Sequence, residues 1–126
     1  MSHLHWLIDE GFERIGGWKS PGNEFYRNVR IGLGVPGIYV FVVGDEVCYV
    51  GQTTHLGRSI CSYNRSFPSE SGAECRRVHD CLRAAWQQGK EVSVWELAVG
   101  GQAEEAGLEE RTRLLIEQRK PRWNVA

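Results

Sequence analysis

Gly37-Ile38-Tyr39-Val40-Phe41-Val42-Val43-Gly44-Asp45-Glu46-Val47-Cys48-Tyr49-Val50-Gly51 is the stretch whose reading decides the fold of this chain. Two apolar, β-branched runs, Val35 to Val43 and Val47 to Val50, flank Gly44-Asp45-Glu46. Runs of that composition on either side of a glycine-led polar turn predict a β-hairpin over residues 36–50, with one tyrosine on each strand.

The pattern continues downstream. Thr53 to Tyr63 predicts a helix, with Thr53 or Thr54 as cap and Leu56, Ile60 and Tyr63 at helical spacing. Residues 64–74 read as a polar loop. A second helix is predicted from Ala73 to Gln88, with Val78, Leu82, Ala85 and Trp86 on one face and Gly89 as its stop. From Glu91 to Val99, Val92, Val94 and Glu96 alternate with Ser93, Trp95 and Leu97, which suits a third strand. Gly100-Gly101 breaks the chain before a last helix, Glu104 to Arg119, which ends ahead of Pro121. Upstream, residues 3–9 predict a short helix. Gly11 to Trp18 and Phe25 to Ile31 read as short strands or extended arms around Ser20-Pro21-Gly22-Asn23.

The chain of 126 residues is 41% hydrophobic, enough for one core and too short for two comfortable domains. No run of about 18 apolar residues offers a membrane span, and the N-terminus lacks the pattern of a secretory signal, so a soluble, cytoplasmic protein is expected. Cys48, Cys61, Cys75 and Cys81 form no C-x-x-C pair and read as free structural thiols. The net charge of −1 hides a local imbalance. Residues 52–83 set five arginines against Glu70, Glu74 and Asp80, and residues 111–124 set four arginines and Lys120 against Glu117. Twelve of the fifteen basic residues are arginine, the better bidentate phosphate ligand.

The paired tripeptides Gly37-Ile38-Tyr39 and Tyr49-Val50-Gly51, with Leu115-Ile116, Pro121 and Asn124 at the end, resemble the signature of the GIY-YIG endonuclease family. The resemblance covers residues 35–126 and leaves residues 1–34 as an N-terminal extension packed on the domain. It implies an α+β fold with a small, mainly antiparallel, three-stranded sheet flanked by helices. It also implies hydrolysis of DNA phosphodiester bonds by a tyrosine-activated water, with Mg²⁺ or Mn²⁺ as cofactor.

The reaction needs an activated water, neutralisation of the phosphorane charge and help for the leaving oxygen. Tyr39 and Tyr49 are the tyrosines the resemblance implies, one as base and one as positioner. A free phenol has a pKa of about 10, so the base needs a nearby cation or metal-bound water. Gly51 lets the backbone approach a phosphate, and Gln52, Thr53 and Thr54 follow it at a helix start, a place that favours anions.

The family's arginine slot holds Ser59, and Arg58 precedes it by one residue, about 100° around the helix. Arg58 is the chosen phosphate-facing cation, with Arg65 in reserve. Tyr63 fits the auxiliary position. The family's metal-binding glutamate slot, twelve residues before Asn124, holds Thr112. Glu109 lies three residues earlier, about 60° around the helix, and is the chosen metal carboxylate, with Glu110 next. His79 is a candidate base partner or phosphate ligand, and Asn124 supports the metal region. The expected partner is duplex or branched DNA, with a homodimer, a partner protein or structure-selective cutting to add specificity. The rival expectation is a catalytically inactive, nucleic-acid-binding or adaptor domain of this fold, which the losses at residues 59 and 112 would produce.

Overall fold

The computed structural model describes residues 4–18, 26–27, 35–54, 56, 73–99 and 106–124. In chain order these form α1 (His5–Asp9), β1 (Glu13–Trp18), β2 (Tyr26–Arg27), β3 (Gly37–Val43), β4 (Glu46–Thr53), α2 (Ala73–Gln87), β5 (Val92–Ala98) and α3 (Leu108–Arg119). The residues expected to form the 53–63 helix, apart from its first positions and Leu56, lie outside the described residues, as does most of the 64–74 loop.

The hairpin forms as its sequence requires. Val43 pairs with Glu46 around a two-residue turn whose first residue, Gly44, sits at φ +62°, where a side chain would be strained. β3 is buried along all seven residues because β4 and β5 flank it and helices cover both of its faces.

The sheet order is β2-β1-β5-β3-β4, with every pairing antiparallel. This corrects the three-stranded expectation: four strands of six to eight residues are joined by the two-residue β2. The additional strand β1 carries Gly16 and Gly17, which break any apolar alternation in its sequence. Its place is set by backbone pairing to β5, where Gly17 runs so close that a Cβ would fall 2.0 Å from the Val92 carbonyl oxygen. Ile15 is the extra residue of a bulge against β5 and is buried.

Two apolar layers follow from the two faces of the sheet. On one, Val78, Leu82 and Ala85 of α2 pack with Tyr39, Phe41, Val43, Tyr49, Val92 and Val94. On the other, Leu7 of α1 and Leu108 and Leu115 of α3 pack with Ile38, Val40, Val42 and Val50. α1 is fixed on α3 by an Arg111–Glu10 ion pair at 2.9 Å and by the Arg119 guanidinium 4.2 Å above the Trp6 ring. Gly89, at φ +82°, stops α2, and Lys120, left-handed at φ +46°, stops α3 before Pro121. No described helix is long and apolar enough to cross a membrane.

The free edge of β4 is closed by the tail. The Trp123 amide donates to the Cys48 carbonyl at 2.8 Å. Asn124 then acts as a surrogate strand residue: its Oδ1 accepts from the Val50 amide and its Nδ2 donates to the Val50 carbonyl, each at 2.9 Å. Asn124→Ala removes both bonds and is expected to destabilise the domain by roughly 1–3 kcal/mol in denaturant unfolding, with faster amide exchange at Val50.

Candidate active site

Two tyrosines ten residues apart on a tight hairpin do not automatically share a face. The pairing of Val43 with Glu46 and Val42 with Val47, continued without interruption, sets Tyr49 opposite Val40, on the far side of the sheet from Tyr39. The register shifts by one residue between Phe41 and Val42, which leaves Cys48 as the extra residue. Beyond the bulge Phe41 pairs with Tyr49, and Tyr39 with Gly51. Both tyrosines therefore reach the α2 face.

There the rings gather. Tyr39 and Tyr49 are 6% and 3% exposed, with centroids 6.0 Å apart, and Phe41 stands 5.5 Å from Tyr39 and 6.0 Å from Tyr49. They converge over Gly51. A Cβ on that residue would lie 2.5 Å from Tyr39 Cζ, 2.7 Å from its hydroxyl oxygen and 2.8 Å from Tyr49 Cε2. Gly51 is thus needed for close approach, though it is the tyrosine rings that approach it. Val50, between Tyr49 and Gly51, is the residue that Asn124 grips, so Asn124 positions the tyrosine strand.

Cys48 itself is fully buried and faces the same layer. Burial, only partly offset by a hydrogen bond donated by Arg122 to its sulfur, pushes its thiol pKa up. It stays a neutral thiol at physiological pH, as the sequence reading of free cysteines requires.

Glu96 is the residue that the reading of the sequence passed over. It is 5% exposed, and it pairs with Tyr39 on one side and Glu13 on the other. Gly51, Tyr39, Glu96 and Glu13 thus form one row across four strands, on one face. Its signal was present in β5, whose inward positions read Val92, Val94, Glu96: a carboxylate where the alternation calls for an apolar residue. His79 is buried as well, on α2, which covers this face.

The acidic residues of α3 behave differently. Thr112, in the glutamate slot, is buried and its hydroxyl donates to the Leu108 carbonyl at 2.8 Å. Glu110 and Glu117 are both engaged by Arg113, and the hydrogen bond from Arg113 lowers the Glu110 pKa. Glu109 is exposed and forms no ion pair among the described residues. It belongs to the helix of the opposite layer from the tyrosines. Arg58 and Tyr63 lie outside the described residues. Among the described residues no three His, Cys, Asp or Glu side chains gather as a metal cage.

Similarity to solved structures bears on the fold. No family model matches the sequence, and no curated protein does either. The structure of a glutamate-to-alanine mutant of bacteriophage T4 EndoII superposes with a TM-score of 0.64 at 16% identity, covering 99% of this chain and 100% of that one. The GIY-YIG N-terminal endonuclease domain of UvrC from Thermotoga maritima superposes with a TM-score of 0.51 at 18% identity as a point mutant bound to its catalytic divalent cation, covering 77% of this chain and 92% of that one. The same domain bound to magnesium gives 0.50 at 19% identity, with 76% and 92% covered. The chain has the GIY-YIG endonuclease fold.

Gly51→Ala tests the convergence of the rings. It should destabilise the protein by roughly 1–3 kcal/mol, the usual range for overpacking. The near-ultraviolet tyrosine dichroism should change with it, because the added methyl can be accommodated only by moving one or both rings.

Proposed function

We propose that this protein is an endonuclease that hydrolyses DNA phosphodiester bonds with a water activated by the Tyr39–Tyr49 pair. The observation that carries the reading is the convergence of both tyrosines over Gly51, brought about by the bulge at Cys48 and held by Asn124. Two phenols buried in an aromatic layer and steered to one point are more than β-sheet packing requires, since Phe would fill the same space without a hydroxyl to satisfy. The solved nucleases of this fold support the reading.

In this mechanism one tyrosine takes a proton from the attacking water and the other orders it, and Arg58, which lies outside the described residues, is the cation proposed to meet the phosphate charge. Glu96, in the same row as Tyr39, lies at the end of the site nearer β1. A divalent cation, Mg²⁺ or Mn²⁺, supplies charge neutralisation at the phosphate and a stabilised leaving oxygen when bound. Glu109 is the carboxylate the resemblance assigns to this ion: it is exposed and carries no ion pair among the described residues, and such ions keep most of their waters and accept a single carboxylate. It stands on the helix of the layer opposite the tyrosines, so the ion would have to bridge the two through the bound DNA. Glu110, already held by Arg113, does not compete. The substrate is duplex or branched DNA, and the surroundings are cytoplasmic.

One observation favours a second reading. Thr112 fills the family's glutamate slot with a buried hydroxyl committed to Leu108, which suits a domain of this fold that binds nucleic acid without cutting it.

Plasmid nicking with Mg²⁺ or Mn²⁺ separates the two. The wild-type chain should nick, and Tyr39→Phe should lower the rate by about 10²- to 10⁴-fold, the range of a lost acid–base group, with little loss of stability. Glu109→Ala should lose activity that raised metal concentration partly restores. Absence of cleavage on single-stranded, duplex and branched DNA by the wild type would leave the binding reading in its place.

A further inference from the structure

Most arginines whose side chains are described have a partner or lie in solvent. Arg14 meets Glu91, Arg111 meets Glu10, Arg113 meets Glu110 and Glu117, Arg122 meets Glu46, Arg119 stacks on Trp6, and Arg83 is exposed. Arg77 differs. It is half-buried in α2, and its Nη2 is buried with no hydrogen-bond partner among the described residues. A buried donor on a charged group without an acceptor is an expensive arrangement, and native folds keep few of them. The chain has sixteen acidic residues, yet none of those described is placed to relieve Arg77.

The position of Arg77 relates it to the tyrosines. Val78, the next residue, packs in the cluster that contains Tyr39 and Tyr49. Cys81, one turn on and on the same stripe of the helix, lies against the rim of that cluster. α2 ends where β5 begins, beside the hairpin turn, as the hydrogen bond donated by the Gly44 N–H to the Glu91 carbonyl shows. Arg77, in the first half of the helix, therefore lies toward the opposite end of the strands, where Tyr39, Gly51 and Leu56 sit.

We propose that Arg77 is a phosphate-binding residue that takes a backbone phosphate of the DNA substrate, flanking the tyrosine site. No described residue supplies an acceptor to this donor, and an anion rich in acceptors, brought by a substrate, would do so. A phosphodiester has two free oxygens that match the guanidinium fork. This inference rests on the DNA-directed reading of the site, but it concerns binding and not the chemical step.

The test is anisotropy binding of the full chain to a short fluorescent DNA duplex in EDTA, over a series of salt concentrations, with thermal melts of the free proteins. Arg77→Met keeps the apolar stem and removes the donors. It should bind about tenfold more weakly, consistent with loss of one charged hydrogen bond. Its slope of log affinity against log salt should fall by about 0.9, the value of one phosphate contact. Its melting temperature should be unchanged or higher, because the unsatisfied buried donor is gone. Arg77→Lys should keep the slope. Unchanged affinity and slope in Arg77→Met would overturn the proposal, as would a loss of binding matched by a lower melting temperature. Wild-type binding without cleavage in Mg²⁺ would overturn the nuclease reading while the Arg77 result stands on its own. Cleavage by a wild type whose affinity does not depend on Arg77 would do the reverse, and no binding by the wild type would overturn both.

Discussion

One extra residue in one strand decides which face of the sheet the two hairpin tyrosines share. Cys48 enters β4 as a bulge, and by shifting the register it turns Tyr49 to the face that holds Tyr39. The tail of the chain then secures the bulge. Trp123 pairs with the carbonyl of Cys48, and the Asn124 amide closes on both backbone groups of Val50. An edge strand with a bulge would otherwise be free to slip or to pair with another chain. The same contacts that protect the edge therefore hold the tyrosines in register.

The convergence over Gly51 follows from that register and gives the glycine a concrete role. Its missing Cβ is the space into which Tyr39 and Tyr49 lean. On the opposite face α3 is bound to the sheet through Leu108 and Leu115 and to α1 through Arg111 and Arg119. Its inward positions are thus committed to packing, Thr112 included, and its acidic residues face solvent. The two layers divide the protein into a side that carries phenols, buried polar groups and Arg77, and a side that is mainly structural.

Much of this is legible in the sequence alone. The hairpin, α2 with its glycine stop, β5 and the proline-terminated α3 announce themselves through local periodicity and turn residues, which act within a few residues of chain. The outer strand did not, because Gly16 and Gly17 give β1 no alternation to read and its pairing with β5 spans most of the chain. Glu96 was readable as an exception in an apolar strand face, but its row with Tyr39 and Glu13 is a relation among three separate segments. Arg77 carries no sequence mark that separates it from Arg76 beside it.

The sequence by itself determined the hairpin, α2, β5 and α3, their order and the two tyrosine tripeptides, since propensity, turn chemistry and spacing are properties of neighbouring residues. The tertiary structure decided which faces those residues share. Whether Tyr49 joins Tyr39 depends on a one-residue register shift fixed by pairing across β3, and whether a carboxylate or guanidinium is buried depends on what distant segments pack over it. Those are long-range contacts, and no local pattern encodes them.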